Sequence, residues 1–472
     1  MATKKLSMMD AMFLAGETRE SMMHVGGLLT FTLPADAPPH FLRRVADELR
    51  GSVTVYPPWN LRLRSPDFLS NPLQAWVEDT DFDVDYHVRR SALPSPGDER
   101  ELGILVSRLH SVPIDFHHPP WEVHFIEGLE GGRFALYMKV HHALVDGYTG
   151  MKLLARSLST DPAERDTPMF FSQPPRARSE EPRDEPPPPT MASMLEAARV
   201  QYGAAREAGR AIMNVLRAAR TGDRDLVSPL QAPRSILNRK ISRNRRFATA
   251  QFATERVRRV ARAAGGTIND VALAICGAAL RRLLSEHDAL PAESLTAMIP
   301  VNIRPKDDPG GGNAVAAILA SLATDVGEAE LRLGAIIAST KRAKEQLQGM
   351  SRSAILQYSA MLMAPLSLQQ VPGAAGRLRP AFNVVVSNVP GPERPLYFRG
   401  AHLDAPYPLS IPFHGCGLNI TINGYADTLN FGFTGCRDTV PHLQRIAVYG
   451  ADALEELERA FPAVASDAAA VS

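Results

Sequence analysis

The chain is interrupted by a stretch that cannot build a core. Between Asp161 and Thr190 stand Pro162, Pro168, Pro174, Pro175, Pro182 and the run Pro186-Pro187-Pro188-Pro189, mixed with charge. Proline fixes φ and removes a backbone donor, and charged neighbours resist burial, so the segment predicts a disordered or extended connector. At 472 residues the chain is also longer than one hydrophobic core usually organises. The expected units are therefore 1–160, a connector over 161–225, and 226–472.

Hydrophobic periodicity places elements on both sides of this break. Strands are predicted at Gly26–Leu33 and Phe134–Val140, with helices over Glu99–Leu109 and Gly147–Leu158. In the second half, strands are predicted at Arg246–Ala253, Pro300–Pro305, Phe382–Val386, Leu418–Ile422 and Leu429–Thr434. Helices are predicted at Thr254–Ala264 and Thr267–Leu283, the latter with Thr267 as N-cap and Asp270 three residues on. Mixed strands and long helices in two halves suggest two α/β sandwiches. The stretch Ala354–Leu366, rich in Met and Leu, reads as helical, equally as core or as the wall of an apolar path.

Net charge is +1, which argues against nucleic acid as a partner. Cys276, Cys416 and Cys436 are far apart and odd in number, as expected of reduced thiols in the cytoplasm. No signal peptide and no uncharged span long enough to cross a bilayer is read, so any membrane contact is expected to be peripheral. Met191–Arg220 reads as a basic helix, followed by Arg234, Arg239, Lys240, Arg243, Arg245 and Arg246. Its default reading is a solvated face over a packing stripe; an anionic membrane or lipid-inclusion surface, or coenzyme A phosphates, are the alternatives.

The chemistry is concentrated in His141-His142-Ala143-Leu144-Val145-Asp146-Gly147, at the end of the Phe134–Val140 run. Histidine accepts and returns a proton near neutral pH, so a histidine delivered by a strand to a turn can serve as general base. Successive strand side chains point to opposite faces, so His141 and His142 cannot readily share one metal ion. No neighbouring ligand spacing supports a metal site, and none is expected. His142 is the expected base and His141 a packed or hydrogen-bonded neighbour. Asp146 reads either as a partner of the base or simply as the N-cap of the following helix.

This motif at a strand end resembles the coenzyme A-dependent acyltransferase superfamily, which includes chloramphenicol acetyltransferase and peptide-synthetase condensation domains. Further segments look like bacterial wax ester synthase/diacylglycerol acyltransferases: Leu6–Leu14, Met23–Leu28, Phe82–Val88, Pro119–Glu122, Asn269–Ala274, Asn383–Pro392 and Gly417–Thr421. The ordered set spans nearly the whole chain. The resemblance implies two chloramphenicol acetyltransferase-like α/β sandwich domains with a tunnel at their interface and the motif histidine midway along it. It implies esterification of a long-chain alcohol or diacylglycerol by a fatty acyl-CoA, with no permanently bound cofactor.

Within that expectation His142 is the base, Asp146 orients it and Gly147 makes the turn. Asn269 is the first candidate oxyanion donor, and the Ser387-Asn388 region the second. Trp121, Asp270, Ser387 and Asn388 are the candidate substrate contacts, although a lone Trp is usually core and these polar residues also suit a helix start or a strand-ending turn. The competing readings are a free-standing condensation-type acyltransferase using another hydroxyl or amine, and a lipid-binding protein without catalysis. Acceptor, chain length and oligomeric state are not legible.

Overall fold

The computed structural model describes residues 3–51, 54–66, 74–145, 147–174, 232–302, 315–348, 350–370 and 379–462, with positions 213, 227, 373 and 377. Asp146 and, apart from Met213, the expected basic helix at 191–220 lie outside the described residues.

The first half contributes β1 (Thr3–Lys5), α1 (Met8–Gly16), β2 (His24–Thr32), α2 (Phe41–Gly51), β3 (Leu61–Leu63), β4 (Ala75–Glu78), α3 (Val84–His87), β5 (Val88–Ala92), α4 (Glu99–His110), β6 (Trp121–Leu129), β7 (Arg133–His141) and α5 (Gly147–Ala155). The second contributes β8 (Arg245–Ala253), α6 (Thr254–Ala263), α7 (Ile268–Glu286), β9 (Thr296–Asn302), β10 (Val315–Ser321), α8 (Ala329–Leu347), α9 (Arg352–Gln369), β11 (Val384–Val389), β12 (Tyr397–Phe398), β13 (Ala401–Leu409), β14 (Leu418–Tyr425), β15 (Thr428–Cys436) and α10 (Arg445–Ala460).

Two mixed sheets carry the architecture, in the orders β12-β13-β2-β7-β6-β5 and β10-β9-β11-β14-β15-β8. The first sheet is not built from the first half alone. β13 pairs antiparallel with β2, placing Tyr407 opposite Leu28 and Leu409 opposite Gly26. The expected unit 226–472 therefore lends a segment to its neighbour. β13 also crosses close over β15: a Cβ at Gly432 would sit 1.9 Å from the Pro408 carbonyl oxygen, so only glycine fits there.

The faces of the first sheet have different partners. Phe31, Phe125, Phe134, Leu136 and Val140 pack with Phe41, Leu42, Val45 and Leu49 of α2. Leu28, Ile126, Ala135 and Tyr137 pack with Leu102 and Val106 of α4 and with Phe247 of β8. Helix α4 thereby bridges the halves. Ser107 Oγ accepts from the Phe247 amide at 2.9 Å and Ser111 Oγ from the Arg245 amide at 2.8 Å. In the second sheet, Val384, Val386, Ile420, Ile422 and Phe431 pack against α6, α7, α8 and α10. Val385 and Leu319 pack against Tyr358 and Leu362 of α9.

The proline-rich connector needs a correction. Its first part is folded: Met169, Phe170 and Phe171 are fully buried in the first core, with Phe170 edge-on to Trp59 and Phe171 stacked on Trp121. The burial of these rings is a large apolar contribution to ordering this part of the strap. The helix start at Thr267 is as expected, with a capping box in which Thr267 and Asp270 satisfy each other's backbone amides.

Lys139 of β7 is fully buried. Its ammonium donates to the carbonyls of Leu109 and Val112 at 3.1 and 3.0 Å, closing the end of α4, and pairs with Glu122 on β6. Arg89 reaches the same carboxylate at 3.0 Å and His124 Nε2 lies 3.5 Å from it. Burial alone would raise the Glu122 pKa, but the His124 hydrogen bond and the Lys139 charge hold it at about 2, below the ordinary 4.5. The carboxylate's contribution to stability is thus complete above pH 4.5 and is lost as pH falls toward 2. Glu122→Gln should destabilise the fold by about 3–5 kcal/mol, because it strands a buried ammonium. Denaturant unfolding at neutral pH checks this, and a loss below about 1 kcal/mol would show that the pair is not structural.

Candidate active site

Strand β7 ends on His141, and His142 is the first residue of the turn that follows. The strand forms because Phe134, Leu136, Met138 and Val140 alternate on one face and pack into the first core. Its neighbour β2 holds the end in place: His24 is in register with His141, and the His142 amide donates to the Met23 carbonyl at 2.9 Å. Helix α1 packs against the turn. The Phe13 ring stacks on the His142 imidazole with centroids 3.9 Å apart. Val145 is buried and Gly147 is the first residue of α5.

The two histidines have separate surroundings. The His141 side chain is buried, with Nε2 3.4 Å from Glu17 Oε2 and its ring edge-on to Phe116. Its Nδ1 accepts from the Ala143 amide at 3.2 Å, which makes Nδ1 the unprotonated nitrogen and leaves the proton on Nε2, toward Glu17. Glu17 Oε2 also accepts from the Met23 amide at 2.5 Å. One carboxylate therefore ties together the turn after α1, the start of β2 and the first motif histidine. His142 is half-buried, stacked on Phe13 and anchored through its backbone.

From the motif, α5 runs along the wall of an apolar cavity of about 300 Å³. Met151, Leu154, Ala155 and Leu158 line one side, and Val389-Pro390-Gly391-Pro392 from the second half line the other. Gly391 is required by close approach, since a Cβ there would meet the Gly424 carbonyl oxygen at 2.0 Å. The four-residue wall follows directly on Asn388, at the end of β11. The Asn388 side-chain amide donates to Asn269 Oδ1, at the first turn of α7. Two asparagines from separate motifs are thus brought together next to the cavity.

Other expected site residues fall elsewhere. Trp121 is 1% exposed, with its indole N–H bonded to the Trp59 carbonyl at 2.7 Å; it is a core residue and does not line the cavity. Asp270 is 3% exposed, and its carboxylate serves the capping box and the Thr340 hydroxyl at 2.6 Å. Ser387 lies in β11 opposite Thr421. Glu17, Phe13 and Met23 were not singled out as site residues, although the segments Leu6–Leu14 and Met23–Leu28 had carried the resemblance. Among the described residues no group of three His, Cys, Asp or Glu side chains converges as a metal-ligand set. Among those residues no single helix is long and apolar enough to cross a membrane.

Comparison with known proteins agrees with this geometry. The family model described as the wax ester synthase/diacylglycerol acyltransferase catalytic domain matches residues 6–272, and that of the family's C-terminal domain matches 311–458. A Mycobacterium tuberculosis protein provisionally named a diacylglycerol O-acyltransferase is 50% identical, covering 97% of both chains. The O-acyltransferase WSD of Acinetobacter baylyi is 39% identical over 94% of this chain and 95% of its own. The solved wax ester synthase/diacylglycerol acyltransferase of Marinobacter aquaeolei VT8 superimposes with a TM-score of 0.75 at 38% identity, covering 97% of this chain and 99% of that one. A condensation domain of a calcium-dependent antibiotic synthetase shares the fold alone, with a TM-score of 0.57 at 18% identity over 98% and 97% of the two chains. The chain belongs to the wax ester synthase/diacylglycerol acyltransferase family of O-acyltransferases.

Proposed function

We propose that this enzyme transfers a long-chain acyl group from acyl-CoA to the hydroxyl of a long-chain alcohol or a diacylglycerol, with His142 as general base and no acyl-enzyme intermediate. The observation that carries the reading is His142 at the end of a buried strand, on the turn that leads straight into the helix lining an apolar cavity. Cavities of this size and lining suit an aliphatic chain.

An alcohol is a weak nucleophile, because its pKa lies far above neutral. His142 takes the hydroxyl proton as the oxygen attacks the thioester carbonyl. The tetrahedral intermediate collapses by breaking the C–S bond, and the imidazolium returns the proton to the leaving thiolate. One ester and one free thiol result, and no serine or cysteine nucleophile takes part. Asp146 is assigned to orienting the imidazole. His141 takes no part in the chemistry: its Nδ1 is occupied by the Ala143 amide and its other nitrogen faces Glu17. Asn269 is assigned to the developing oxyanion. Its carbonyl end is engaged by Asn388, which leaves the amide as its remaining hydrogen-bonding group, at the start of α7, where the helix dipole also favours negative charge.

His142→Ala should lower kcat by ~10²–10⁴-fold with unchanged thermal unfolding, and retention within a few-fold would remove the base assignment. Asn269→Ala should lower kcat by ~10²-fold with little change in KM; an unchanged kcat would place the oxyanion donor elsewhere. Ala155→Phe, which fills the cavity from α5, should shift preference from palmitoyl toward decanoyl chains by about tenfold, the equivalent of about 1.4 kcal/mol. Chromatography of products from mixed chain lengths reads the ratio, and an unchanged ratio would show that the cavity holds no reacting chain.

A further inference from the structure

Connected to the motif turn through Ser21 and Met23 lies a cluster of cations that the proposed chemistry has not used. Arg234, Arg239, Lys240 and Arg377 are exposed, and among the described residues none forms an ion pair. Arg234 donates to the Arg377 carbonyl at 2.9 Å, which joins the two ends of the cluster. Arg379 is beside them, with Glu293 3.8 Å from its guanidinium.

The base of this cluster is rigid. Arg239 and Lys240 directly follow the short turn Ile236–Asn238, whose Leu237 and Asn238 are buried. Asn238 donates to the carbonyls of Phe382 and Gly415 at 3.0 and 2.7 Å and accepts from Asn383 at 2.7 Å. The Gly417 amide donates to the Leu237 carbonyl at 2.6 Å and the Gly415 amide to the Arg239 carbonyl at 3.3 Å. Two flexible cationic side chains thus project from a backbone that is fixed before any ligand arrives, which lowers the entropy cost of binding.

The cluster is also close to the reaction centre. The His414 amide donates to Ser21 Oγ at 3.4 Å, and Ser21 stands two residues before Met23, whose carbonyl holds the His142 amide at 2.9 Å. Counting about 3.5 Å of chain per residue, the three hydrogen bonds and the Ser21 side chain, the Arg239 backbone lies at most roughly 30 Å from His142. A pantetheine arm, extended, separates a thioester from its nucleotide phosphates by a distance of that order.

We infer that Arg239, Lys240 and Arg377 bind the diphosphate and 3′-phosphate of the acyl-CoA, holding the nucleotide outside while the thioester reaches His142. This rests on the acyl-CoA reading above. Each phosphate contact is a charge-assisted hydrogen bond to a group that the ordinary ester products lack, so the site discriminates the donor from the acceptor.

The test is the triple variant Arg239→Gln/Lys240→Gln/Arg377→Gln, which leaves every side-chain contact described above intact. With palmitoyl-CoA its KM should rise about tenfold or more, a loss of about 1.4 kcal/mol, while kcat holds within about twofold. With palmitoyl-N-acetylcysteamine, which carries no phosphate, variant and wild type should turn over alike. Equal KM for palmitoyl-CoA, or equal losses with both thioesters, overturns the assignment. Calorimetry with adenosine 3′,5′-bisphosphate separates this inference from the proposed reaction. Binding by wild type and not by the variant supports the site whatever the turnover, and no binding by wild type refutes it. Phosphatidylglycerol vesicle sedimentation decides the source of the phosphate. A variant that loses vesicle binding but keeps its KM for palmitoyl-CoA shows a lipid headgroup site and overturns the coenzyme A assignment.

Discussion

The pairing of β2 with its two neighbours is the constraint on which the rest depends. On one edge β2 holds β7 in the register that sets His24 opposite His141. On the other it holds β13, which comes from the far half of the chain. The same strand therefore fixes the motif and fastens the second half to it. Because side chains alternate with a period of two, a one-residue slip in either pairing would exchange the buried and exposed faces of the sheet. Phe31 and Leu29 on one face and Leu28 on the other belong to different cores, so the register is strongly specified.

Around that frame the buried polar groups have divided tasks. Lys139 and Glu122 close the end of α4, which carries the serines that receive the amides of β8. Glu17 holds Met23 and faces His141, and Met23 holds His142. Reading outward from His142, one direction follows α5 along an apolar cavity and the other follows Met23 and Ser21 to exposed cations. An acyl-CoA has that same polarity, with an aliphatic chain at one end and phosphates at the other.

Much of this was legible in the sequence, for local reasons. The apolar run ending in His141-His142 announces a buried strand that delivers a histidine to a turn, and Thr267 with Asp270 announces a capped helix. The misses come from interactions that no local pattern encodes. β13 contains Pro406 and Pro408 and reads poorly as a strand, yet beyond the two residues it pairs with β12 it runs as an edge, where proline is tolerated. Phe170 and Phe171 lie in a proline-rich stretch whose composition argues for disorder, and their packing against Trp59 and Trp121 accounts for their burial. Asp270 was legible as part of the cap, but the Thr340 hydroxyl on its other oxygen is a contact between distant segments. Asn269 and Asn388 were each visible in a motif, but their meeting is a property of the fold.

The central claim is direct transfer from thioester to hydroxyl, with a histidine carrying the proton. Its most direct test is the release of free thiol from palmitoyl-CoA, followed in a rapid-quench experiment with and without hexadecanol or dipalmitoylglycerol. Direct transfer predicts thiol release only when an acceptor is present, mole for mole with the ester. A burst of thiol equal to the enzyme concentration without acceptor would reveal an acyl-enzyme and contradict the account.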